Sequence, residues 1–387
     1  MEKLKDIYHK LRAWWGGVKN GNPSKKLFVI GVTGTKGKSM TCELINEVLT
    51  ANGDKVAILS SVNERIGKEE RKNTSGNTMP GRGYIQDFLR RAVLANAKYA
   101  IIEVTSQGVC QHRHEYIDWD AGVFINLHPE HIESHGSFEA YREAKLDFFR
   151  YVAKSPKKRK IFFINKEDQN AEWFVKAAGE NEKHFFSGTF IQADYAAAEQ
   201  VGMALGVDHA IIQKALENFK GLSGRMEIIQ DSPYKVVVDY AHTPGSLEEV
   251  YKNLGMSMKI NNNSGRMICV LGSAGGGRDK WKRPEMGKLA GEHCNYVIVT
   301  NEDPWDEDPM EIINSIADEA EKSGKPVVRI LDRQEAIDAA IAQARENDVV
   351  VITGKGSETA IRMAKGKTLP WSDKEAVLSA MADKNKI

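Results

Sequence analysis

Apolar segments of strand length alternate with longer stretches of helical periodicity along most of the chain. In the first half the apolar segments cover residues 26–32, 55–60, 99–104, 121–126 and 160–165. Helical patterns near 191–220 close this series. Continuous apolar strands separated by helices are typical of a parallel sheet whose two faces are covered by crossover helices. The pattern therefore predicts an α/β fold with a mostly parallel sheet.

A second series of the same kind follows after a glycine-containing segment at 221–225. Its apolar segments cover residues 234–240, 266–272, 295–300, 326–331 and 348–353. Two series predict two α/β domains, which agrees with a length that suits two domains better than one. We assign residues 1–26 to an N-terminal helix and linker, 27–222 to a central domain and 223–387 to a C-terminal domain.

The N-terminal segment has the pattern of an amphipathic helix that ends at Gly16 and Gly17. One face carries apolar and aromatic residues, with lysines and an arginine opposite: Leu4, Ile7, Tyr8, Leu11, Trp14 and Trp15. We expect this face to pack on its own domain or on a partner chain. The alternative is a helix that lies on a membrane surface.

Composition narrows the classes of function. Lys and Arg number 54 against 53 Asp and Glu, so no overall positive charge would attract nucleic acid or an acidic membrane. The four cysteines form no CxxC pair, which argues against a zinc site or a disulfide framework and for a reducing compartment. No apolar run approaches the roughly 18 residues of a membrane span, and no signal peptide is visible. We expect a cytoplasmic protein, with peripheral contact to the inner membrane face as the variant that the N-terminal helix allows.

A glycine-rich turn joins the first predicted strand to the first long helix, in the sequence "GVTGTKGKSMT" at residues 31–41. Strand, turn and helix together favour a phosphate-binding loop, where backbone amides and a helix N-terminus face anionic oxygens. Lys38 would place its charge on the terminal phosphates, and Ser39 would offer its hydroxyl to Mg²⁺. Because Val32 occupies the first glycine position of the GxxxxGK[ST] pattern, the match is to the variant G-T-x-G-K-[ST] at 34–39. A glycine turn without a ligand is the alternative.

Two further segments carry candidate metal ligands. Glu103 ends an apolar strand, where open α/β sheets bind their ligands, and a carboxylate there is costly unless a cation meets it. Residues 126–149 place Lys145 in a segment rich in histidine and acidic residues: His128, Glu130, His131, Glu133, His135 and Asp147. Beside a phosphate loop, this set favours Mg²⁺. A solvated strand end and structural histidines are the alternatives.

From about residue 27 to the C-terminus, the chain resembles the Mur ligase family of ATP-dependent amide ligases, and especially its MurE branch. The motifs that carry the resemblance occur in the family's order: "GVTGTKGKS", "EVTSQG", "NLHPEHIESHGSFEAYREAK", "SGRMEII", "VVVDYAHTPGSLEEV", "GSAGGGRDKWKRPEMG", "DRQEAI" and "GKGSE". The resemblance implies a P-loop central domain followed by a Rossmann-like α/β domain. It also implies transfer of the ATP γ-phosphoryl group to a carboxylate, attack by an amine, and release of ADP and phosphate.

The resemblance implies roles for particular residues. Nucleotide contacts fall on Gly34, Thr35, Lys36, Gly37, Lys38, Ser39, Met40, Arg225, Asp239, His242, Asp332 and Arg333. The catalytic set is Lys38, Glu103, His131, Lys145 and His242. Two Mg²⁺ positions involve Ser39, Glu103, His131 and Lys145, with Lys145 carbamylated. The substrate set is Thr78, Arg113, Asn301, Asp303, Trp305, Gly354 and Glu358.

The sequence departs from the MurE pattern at several points. Only 26 residues precede the first predicted strand, where MurE-type ligases have a UDP-binding domain. The acceptor could then be held by its peptide, by a partner chain or through a lipid anchor. Trp305 stands where a "DNPR" arginine grips the distal carboxylate of diaminopimelate, among acidic residues that suit a basic amino acid or form a solvated loop. Ser357 replaces a histidine, and Met79 replaces a threonine that often contacts the acceptor.

Two other classes of function remain open from the sequence. One is a folylpolyglutamate-synthase-like or cyanophycin-type amino acid ligase, whose phosphate loop tolerates "GTKGK". The other is a non-catalytic nucleotide-binding subunit of a larger assembly. For the ligase we expect a monomer that uses an amino acid and a peptidoglycan-precursor-like acceptor, and no nucleic acid.

Overall fold

The computed structural model describes residues 2–72, 77–81, 83–129, 135–189, 191–219, 221–277 and 279–384, without the side chains of 2–7 and 72. The chain divides into two compact units, residues 1–219 and 220–387. Both are α/β units built on a mostly parallel sheet, as the alternating pattern predicts. The predicted fold class is therefore confirmed.

The described helices of the first unit are α1 Glu2–Lys19, α2 Lys38–Ala51, α3 Tyr84–Leu94, α4 Ser106–Cys110, α5 Phe138–Ala153, α6 Ala171–Ala178, α7 Ile191–Ala204 and α8 His209–Glu217, with a 3₁₀ turn at Pro23–Lys26. Its strands are β1 Phe28–Thr33, β2 Val56–Leu59, β3 Asn63–Ile66, β4 Glu69–Lys72, β5 Tyr99–Glu103, β6 Ala121–Phe124, β7 Ile161–Asn165 and β8 Glu182–Phe186. The strand order is β4-β3-β2-β5-β1-β6-β7-β8, and among the described strands the antiparallel pairs are β2–β3 and β3–β4. Strands β1 and β5 are neighbours, so their carboxyl ends meet at one edge.

Strand β1 lies at the centre of this sheet because its residues are apolar or small on both faces. Residues 29–33 are all buried. Gly31 is required within it, since a Cβ there would overlap the Phe148 ring of α5 and lie 2.9 Å from the Trp119 ring. The close approach of α5 to β1 brings the helix over the loop that follows the strand.

The helices of the second unit are α9 Pro244–Ile260, α10 Lys282–His293, α11 Pro309–Glu321, α12 Arg333–Gln343 and α13 Asp373–Lys384, with a 3₁₀ turn at Ala364–Gly366. Its strands are β9 Glu227–Gln230, β10 Lys235–Asp239, β11 Met267–Leu271, β12 Tyr296–Thr300, β13 Val327–Ile330, β14 Val349–Thr353, β15 Ala360–Arg362 and β16 Thr368–Pro370. The sheet order is β13-β12-β11-β14-β10-β9, with β9 antiparallel, and β15 and β16 form a separate hairpin. The segments after β10, β11, β12 and β14 therefore share one sheet edge.

Two expectations from the sequence are wrong. Helix α1 continues through Gly16 and Gly17 to Lys19, because both glycines are buried and tertiary packing compensates for their low helix propensity. Cys269 and Cys294 form a disulfide, with their Cα atoms 6.1 Å apart. Scattered spacing did not indicate this pair, since α10 returns the chain to the start of β12, the neighbour of β11.

A buried ion pair ties α12 to α13 in the second unit. Arg333 donates to both carboxylate oxygens of Asp373, at 2.8 Å each, and both side chains are at most 1% exposed. The same guanidinium also donates to the carbonyls of Asn301 and Thr353. All of these bonds satisfy a charge that would otherwise be costly to bury.

We predict that Asp373→Asn destabilises the 220–387 unit by about 3–5 kcal/mol, because the buried Arg333 charge loses its counter-ion. Native-state hydrogen exchange of the β14 amides measures the stability of this unit separately from the other. Asp338→Asn, which changes an exposed carboxylate on α12, is the matched control and should cost less than about 0.5 kcal/mol. Equal exchange rates in the two variants would contradict the role given to the pair.

Candidate active site

The loop between β1 and α2 is held open by a side chain from the neighbouring strand segment. Asn126 accepts hydrogen bonds through Oδ1 from the backbone amides of Thr35 and Lys36, at 3.0 Å each. Gly37, the N-cap residue of α2, has φ +80°, a conformation that glycine adopts without strain. The loop therefore leads directly into a helix N-terminus, the arrangement that binds phosphate groups.

Lys38 begins α2, and its ammonium donates to the Thr35 carbonyl at 2.8 Å. This bond keeps the cation beside the loop backbone. Met40 is buried in the same helical turn, where it anchors the helix start to the domain core. The sequence-predicted loop residues 34–40 thus form one local structure.

Ser39 and Glu103 meet where the carboxyl ends of β1 and β5 lie side by side. Glu103 accepts through Oε2 from the Ser39 hydroxyl at 2.8 Å and from the Ser61 amide at 2.9 Å. The Ser39 and Ser61 hydroxyls are also 2.8 Å apart. Glu103 is only 3% exposed, so the two serine hydroxyls lie beside a carboxylate that has almost no contact with water.

These donors fit a magnesium ion that is shared with a nucleotide. Mg²⁺ prefers oxygen ligands and is usually held by one or two carboxylates together with substrate phosphates. Among the residues that the structure describes, no three His, Cys, Asp or Glu side chains form a closed metal cage. Glu103 and Ser39 therefore suit a cation that takes its remaining oxygens from phosphate and water.

Lys145 lies on α5 and reaches the same loop. Its ammonium donates to the Gly34 carbonyl at 2.7 Å. The same nitrogen lies 4.7 Å from the centre of the Tyr141 ring. The residue is 1% exposed. Tyr141 in turn shares a hydrogen bond of 3.1 Å with the Thr35 hydroxyl. Helix α5 is thus joined to the phosphate loop through two side chains.

The histidine-rich segment is described only in part. Glu130, His131 and Glu133 lie outside the described residues, so the predicted metal role of His131 stays a prediction. His128 donates its backbone amide to the Thr35 hydroxyl at 3.0 Å. His135 shares a hydrogen bond of 3.0 Å with the Ser106 hydroxyl at the start of α4.

One acidic residue beside the loop was missed by the sequence analysis. Asp194 on α7 accepts from the Thr41 hydroxyl at 2.7 Å and is 3% exposed. A Cβ at position 37 would overlap its carboxylate, so Gly37 is needed for space as well as for its φ angle. No motif in the sequence "FIQADYAAAEQ" indicates this contact, which depends on the packing of α7 against α2.

Thr78 and Arg113 lie in a second region of the first unit. Arg113 donates to the Met79 carbonyl and to the Gln111 side chain, and a Cβ on Gly81 would lie 3.2 Å from its Nε. Burial lowers the pKa of Arg113. Met79 itself is 1% exposed and packs against Gly108, so its side chain fills the core here.

In the second unit, residues after β10 form an aromatic and charged cluster. The Arg225 guanidinium lies 4.0 Å from the centre of the Tyr240 ring, and the His242 ring lies 4.5 Å from the same ring. Asp239 accepts from the amides of Met226 and Ala241 at 2.7 Å each. Burial raises the pKa of Asp239, which the nearby Arg225 charge partly opposes. Tyr240 joins this set only through the structure, because the motif singled out its neighbours.

The acidic loop at 302–308 has local partners for most of its carboxylates. Glu307 pairs with Arg283 and accepts from the Gly277 amide, which lowers its pKa to about 2. Asp308 caps α11 by accepting from the Met310 amide, and Asp306 accepts from the Lys365 amide. Trp305 packs its ring against Gly276. These carboxylates therefore organise the loop.

Glu302 differs from its neighbours because it is buried at the edge shared by β12 and β14. It is 5% exposed, its Oε2 has no hydrogen-bond partner among the described residues, and that atom lies 2.6 Å from where a Gly354 Cβ would be. Burial raises the pKa of Glu302 to about 7, against the attraction of Arg333, Lys282 and Lys355. Gly354 is therefore required for the close approach of the carboxylate.

Lys355 bridges two of the predicted substrate residues. Its ammonium is 1% exposed and contacts Asp303 at 2.7 Å and the Glu358 carboxylate. Glu358 also accepts from the Tyr240 hydroxyl at 3.2 Å. A Cβ on Gly224 would overlap Gly356 and Ser357, so the "SGR" and "GKGSE" motifs are in contact. Asp303 and Glu358 thus share one buried lysine, while Lys355, Lys282 and Arg333 all attract the neighbouring Glu302.

Asp332 and Arg333 serve the fold in this structure. Asp332 caps α12 by accepting from the amides of Gln334 and Glu335. Arg333 directs its donors to Asp373 and to backbone carbonyls, including that of Asn301. Their predicted nucleotide contacts stay predictions.

Comparisons with known proteins agree with this arrangement. The Mur ligase middle domain matches residues 32–226, and the Mur ligase, glutamate ligase domain matches residues 224–356. The chain is 32% identical to the UDP-N-acetylmuramoyl-L-alanyl-D-glutamate--2,6-diaminopimelate ligase of Syntrophomonas wolfei, over 95% of this chain and 80% of the relative. The two family matches lie in both units of the chain.

Solved structures show the same fold. A UDP-N-acetylmuramoyl-L-alanyl-D-glutamate--2,6-diaminopimelate ligase superposes with a TM-score of 0.65 at 28% identity, over 93% of this chain and 79% of that chain. A Mycobacterium tuberculosis folylpolyglutamate synthase complexed with ADP and AMPPCP gives a TM-score of 0.69 at 14% identity, over 89% and 92%, which shows the fold alone. The chain belongs to the Mur ligase family. It is an ATP-dependent acid–amino-acid ligase that resembles the MurE branch.

We predict that Glu302→Gln stabilises the 220–387 unit at pH 8 and has little effect at pH 4. Because its folded pKa of about 7 exceeds the ordinary value of 4.5, wild-type stability falls as the pH rises through this window. The gain of the variant should reach about 3 kcal/mol at pH 8. Exchange of the β12 amides as a function of pH measures it.

Glu307→Gln is the control from the same loop. Its carboxyl has a lowered pKa, so its interactions are present at neutral pH and fade only as the pH falls towards about 2. That variant should be less stable than wild type at pH 8. Parallel pH profiles for wild type and Glu302→Gln would contradict the buried state of Glu302.

Proposed function

We propose that this chain joins an amino acid to the carboxylate of a peptidoglycan-precursor-like acceptor and converts ATP to ADP and phosphate. The observation that carries the proposal is the convergence of Ser39, Ser61 and Glu103 at the mouth of the phosphate loop. This set suits a metal-bound triphosphate, and it lies at the sheet edge where α/β folds bind ligands.

In the proposed reaction an oxygen of the acceptor carboxylate attacks the γ-phosphorus of ATP, and the bond to the ADP oxygen breaks. The product is an acyl phosphate. The neutral amine of the incoming amino acid then attacks the acyl carbon, and phosphate leaves with the electron pair of the C–O bond. The amine loses a proton as the amide forms.

The chain's own groups stabilise charge at the first step. Loop amides and Lys38 face the phosphate oxygens, on which negative charge is concentrated during transfer. Magnesium, when bound, neutralises phosphate charge as a Lewis acid. Glu103 and Ser39 would hold the ion. In the second unit, the residues proposed to contact the nucleotide are Arg225, Asp239 and His242.

We include carbamylation of Lys145 in the proposal. The lysine ammonium first loses a proton, and the neutral amine then adds to carbon dioxide and releases a second proton, which leaves an anionic carbamate able to orient Mg²⁺. The support is the position of Lys145, buried and within hydrogen-bond distance of the Gly34 carbonyl. His131 completes the proposed second metal position.

Thr78 and Arg113 are the proposed acceptor contacts. A guanidinium held in place by the Met79 carbonyl and Gln111 is preorganised to bind a carboxylate. Thr78 and Arg113 would contact the peptide part of the acceptor. Such contacts are compatible with an acceptor that also carries a nucleotide or a lipid anchor, or that a partner chain holds.

For the incoming substrate we propose a basic amino acid such as lysine or ornithine. The support is the pair of carboxylates, Asp303 and Glu358, that share Lys355 near Asn301 and Gly354, since a carboxylate can pair with a cationic side chain. Trp305 offers no guanidinium fork for a distal carboxylate.

The test uses the purified chain with Mg²⁺, ATP, single amino acids, and a panel of acceptors that holds muramyl or other acidic peptides, folate and glutamate chains. Phosphate release that requires both organic substrates, with an amide product found by mass spectrometry, supports the proposal. Product formed only with folate or glutamate chains would favour the folylpolyglutamate-type alternative. ATP binding without turnover on the whole panel would favour a non-catalytic subunit.

We predict that Lys145→Ala lowers ligation by about a hundredfold or more, because a charged group beside the transferred phosphoryl is lost. Added bicarbonate should not restore the activity. Lys154→Ala, an exposed lysine just after the same helix, is the control and should retain full turnover. Unchanged ligation by Lys145→Ala would remove the carbamate from the proposal.

We predict that Glu358→Gln lowers kcat/KM for a basic amino acid roughly tenfold or more, because the hydrogen bond between residue 358 and the cationic side chain of the substrate loses its negative partner. A neutral amino acid should be affected much less, so the ratio of the two values is the readout. Glu311→Gln, on α11, is the control. An equal loss for both kinds of amino acid would contradict the specificity role.

A further inference from the structure

Helix α1 packs on the first unit through its smallest residues. Gly16 and Gly17 are buried, and a Cβ at Gly16 would lie 2.8 Å from the Gly83 Cα atom at the start of α3. The Asn20 side chain donates to the Gly16 carbonyl at 2.8 Å and accepts from Arg90 of α3 at 3.2 Å. The glycine side of the helix therefore faces the domain.

The opposite side of α1 presents a stripe of exposed apolar side chains, which we call the aromatic stripe. Its described members and their exposed fractions are Tyr8 47%, Leu11 58%, Trp14 46%, Trp15 59% and Val18 47%. At 100° per residue, these positions cover one side of the helix. The two indole rings are 6.1 Å apart. Residues of this size are normally scattered singly on a surface, so a continuous stripe indicates a binding face.

Cationic residues border the aromatic stripe on both sides. Arg12 and Lys19 follow one border by helical spacing, and the Arg12 guanidinium lies 4.7 Å from the Tyr8 ring centre. Lys10 lies on the other border. The helix sequence holds five Lys or Arg and only two Asp or Glu, whereas the whole chain carries a net charge of +1. The positive charge is therefore concentrated at this helix.

We propose that the aromatic stripe of α1 binds the surface of an anionic lipid bilayer. Tryptophan and tyrosine favour the boundary between headgroups and acyl chains, and flanking lysine and arginine are attracted by anionic lipids. A second copy of the chain is a poorer occupant, because two helices with the same excess of positive charge repel each other. No described helix is long and apolar enough to cross a membrane.

The contact is separate from the ligase reaction. None of the stripe residues belongs to the phosphate loop, the Ser39–Glu103 contact or the second-unit cluster. A membrane surface would concentrate the enzyme near lipid-linked or membrane-delivered acidic substrates. Membrane binding by α1 does not depend on which amino acid the ligase adds.

The test is vesicle flotation of the full chain, with phosphatidylcholine vesicles compared with vesicles that also contain phosphatidylglycerol. We expect binding to the anionic vesicles that weakens with added salt. Trp14→Ser/Trp15→Ser should reduce binding about tenfold or more, because the buried apolar area is lost. Trp281→Ser removes another exposed tryptophan (66%) and should leave binding unchanged.

A second double variant, Arg12→Gln/Lys19→Gln, tests the role of positive charge. It should weaken binding to the anionic vesicles about fivefold per neutralised residue. Lys25→Gln/Lys158→Gln makes the same change in net charge at exposed positions outside the helix and should bind like wild type. Circular dichroism and vesicle-free turnover confirm that each variant is folded. Absence of wild-type binding to anionic vesicles, equal loss in the control variants, or concentration-dependent dimers abolished by Trp14→Ser/Trp15→Ser would overturn the proposal.

Discussion

The hydrogen bonds that Glu103 accepts from Ser39 and Ser61 are the contact on which the first unit's site depends. They form because β1 and β5 are parallel neighbours, so that the phosphate loop and a strand-end carboxylate reach the same point. Burying a carboxylate is costly unless hydrogen-bond donors or a cation meet it. The two serines provide donors, and the proposed magnesium ion would be the cation.

Glycine occupies two positions where the backbone lies close to a carboxylate. Gly37 leaves room for the Asp194 carboxylate, and Gly354 leaves room for Glu302. In the second unit, the buried Arg333 charge is balanced by Asp373, while Glu302 Oε2 accepts no hydrogen bond from any residue that the structure describes.

Sequence periodicity predicted the strands that are apolar on both faces, because burial on both sides leaves a continuous signal. It missed β3, β4, β8, β9, β15 and β16, which are short or carry polar residues, and it ended α1 at two glycines that packing retains within the helix. The phosphate loop could be found because local spacing defines it. Asp194, Tyr240 and Lys355 could not, since their roles arise from contacts between segments far apart in the chain. The loop at 302–308 looked like an acidic pocket, yet Asp306, Glu307 and Asp308 bind backbone amides or basic side chains locally.

The central claim is that the terminal phosphoryl group of ATP is transferred to a carboxylate before the amide forms. It is tested most directly by an acceptor whose reacting carboxylate carries a heavy oxygen isotope. Mass spectrometry of the released inorganic phosphate should find one labelled oxygen per turnover, since the acyl phosphate passes that atom to phosphate when the amine attacks. Label found in AMP, or unlabelled phosphate alongside amide product, would contradict the account.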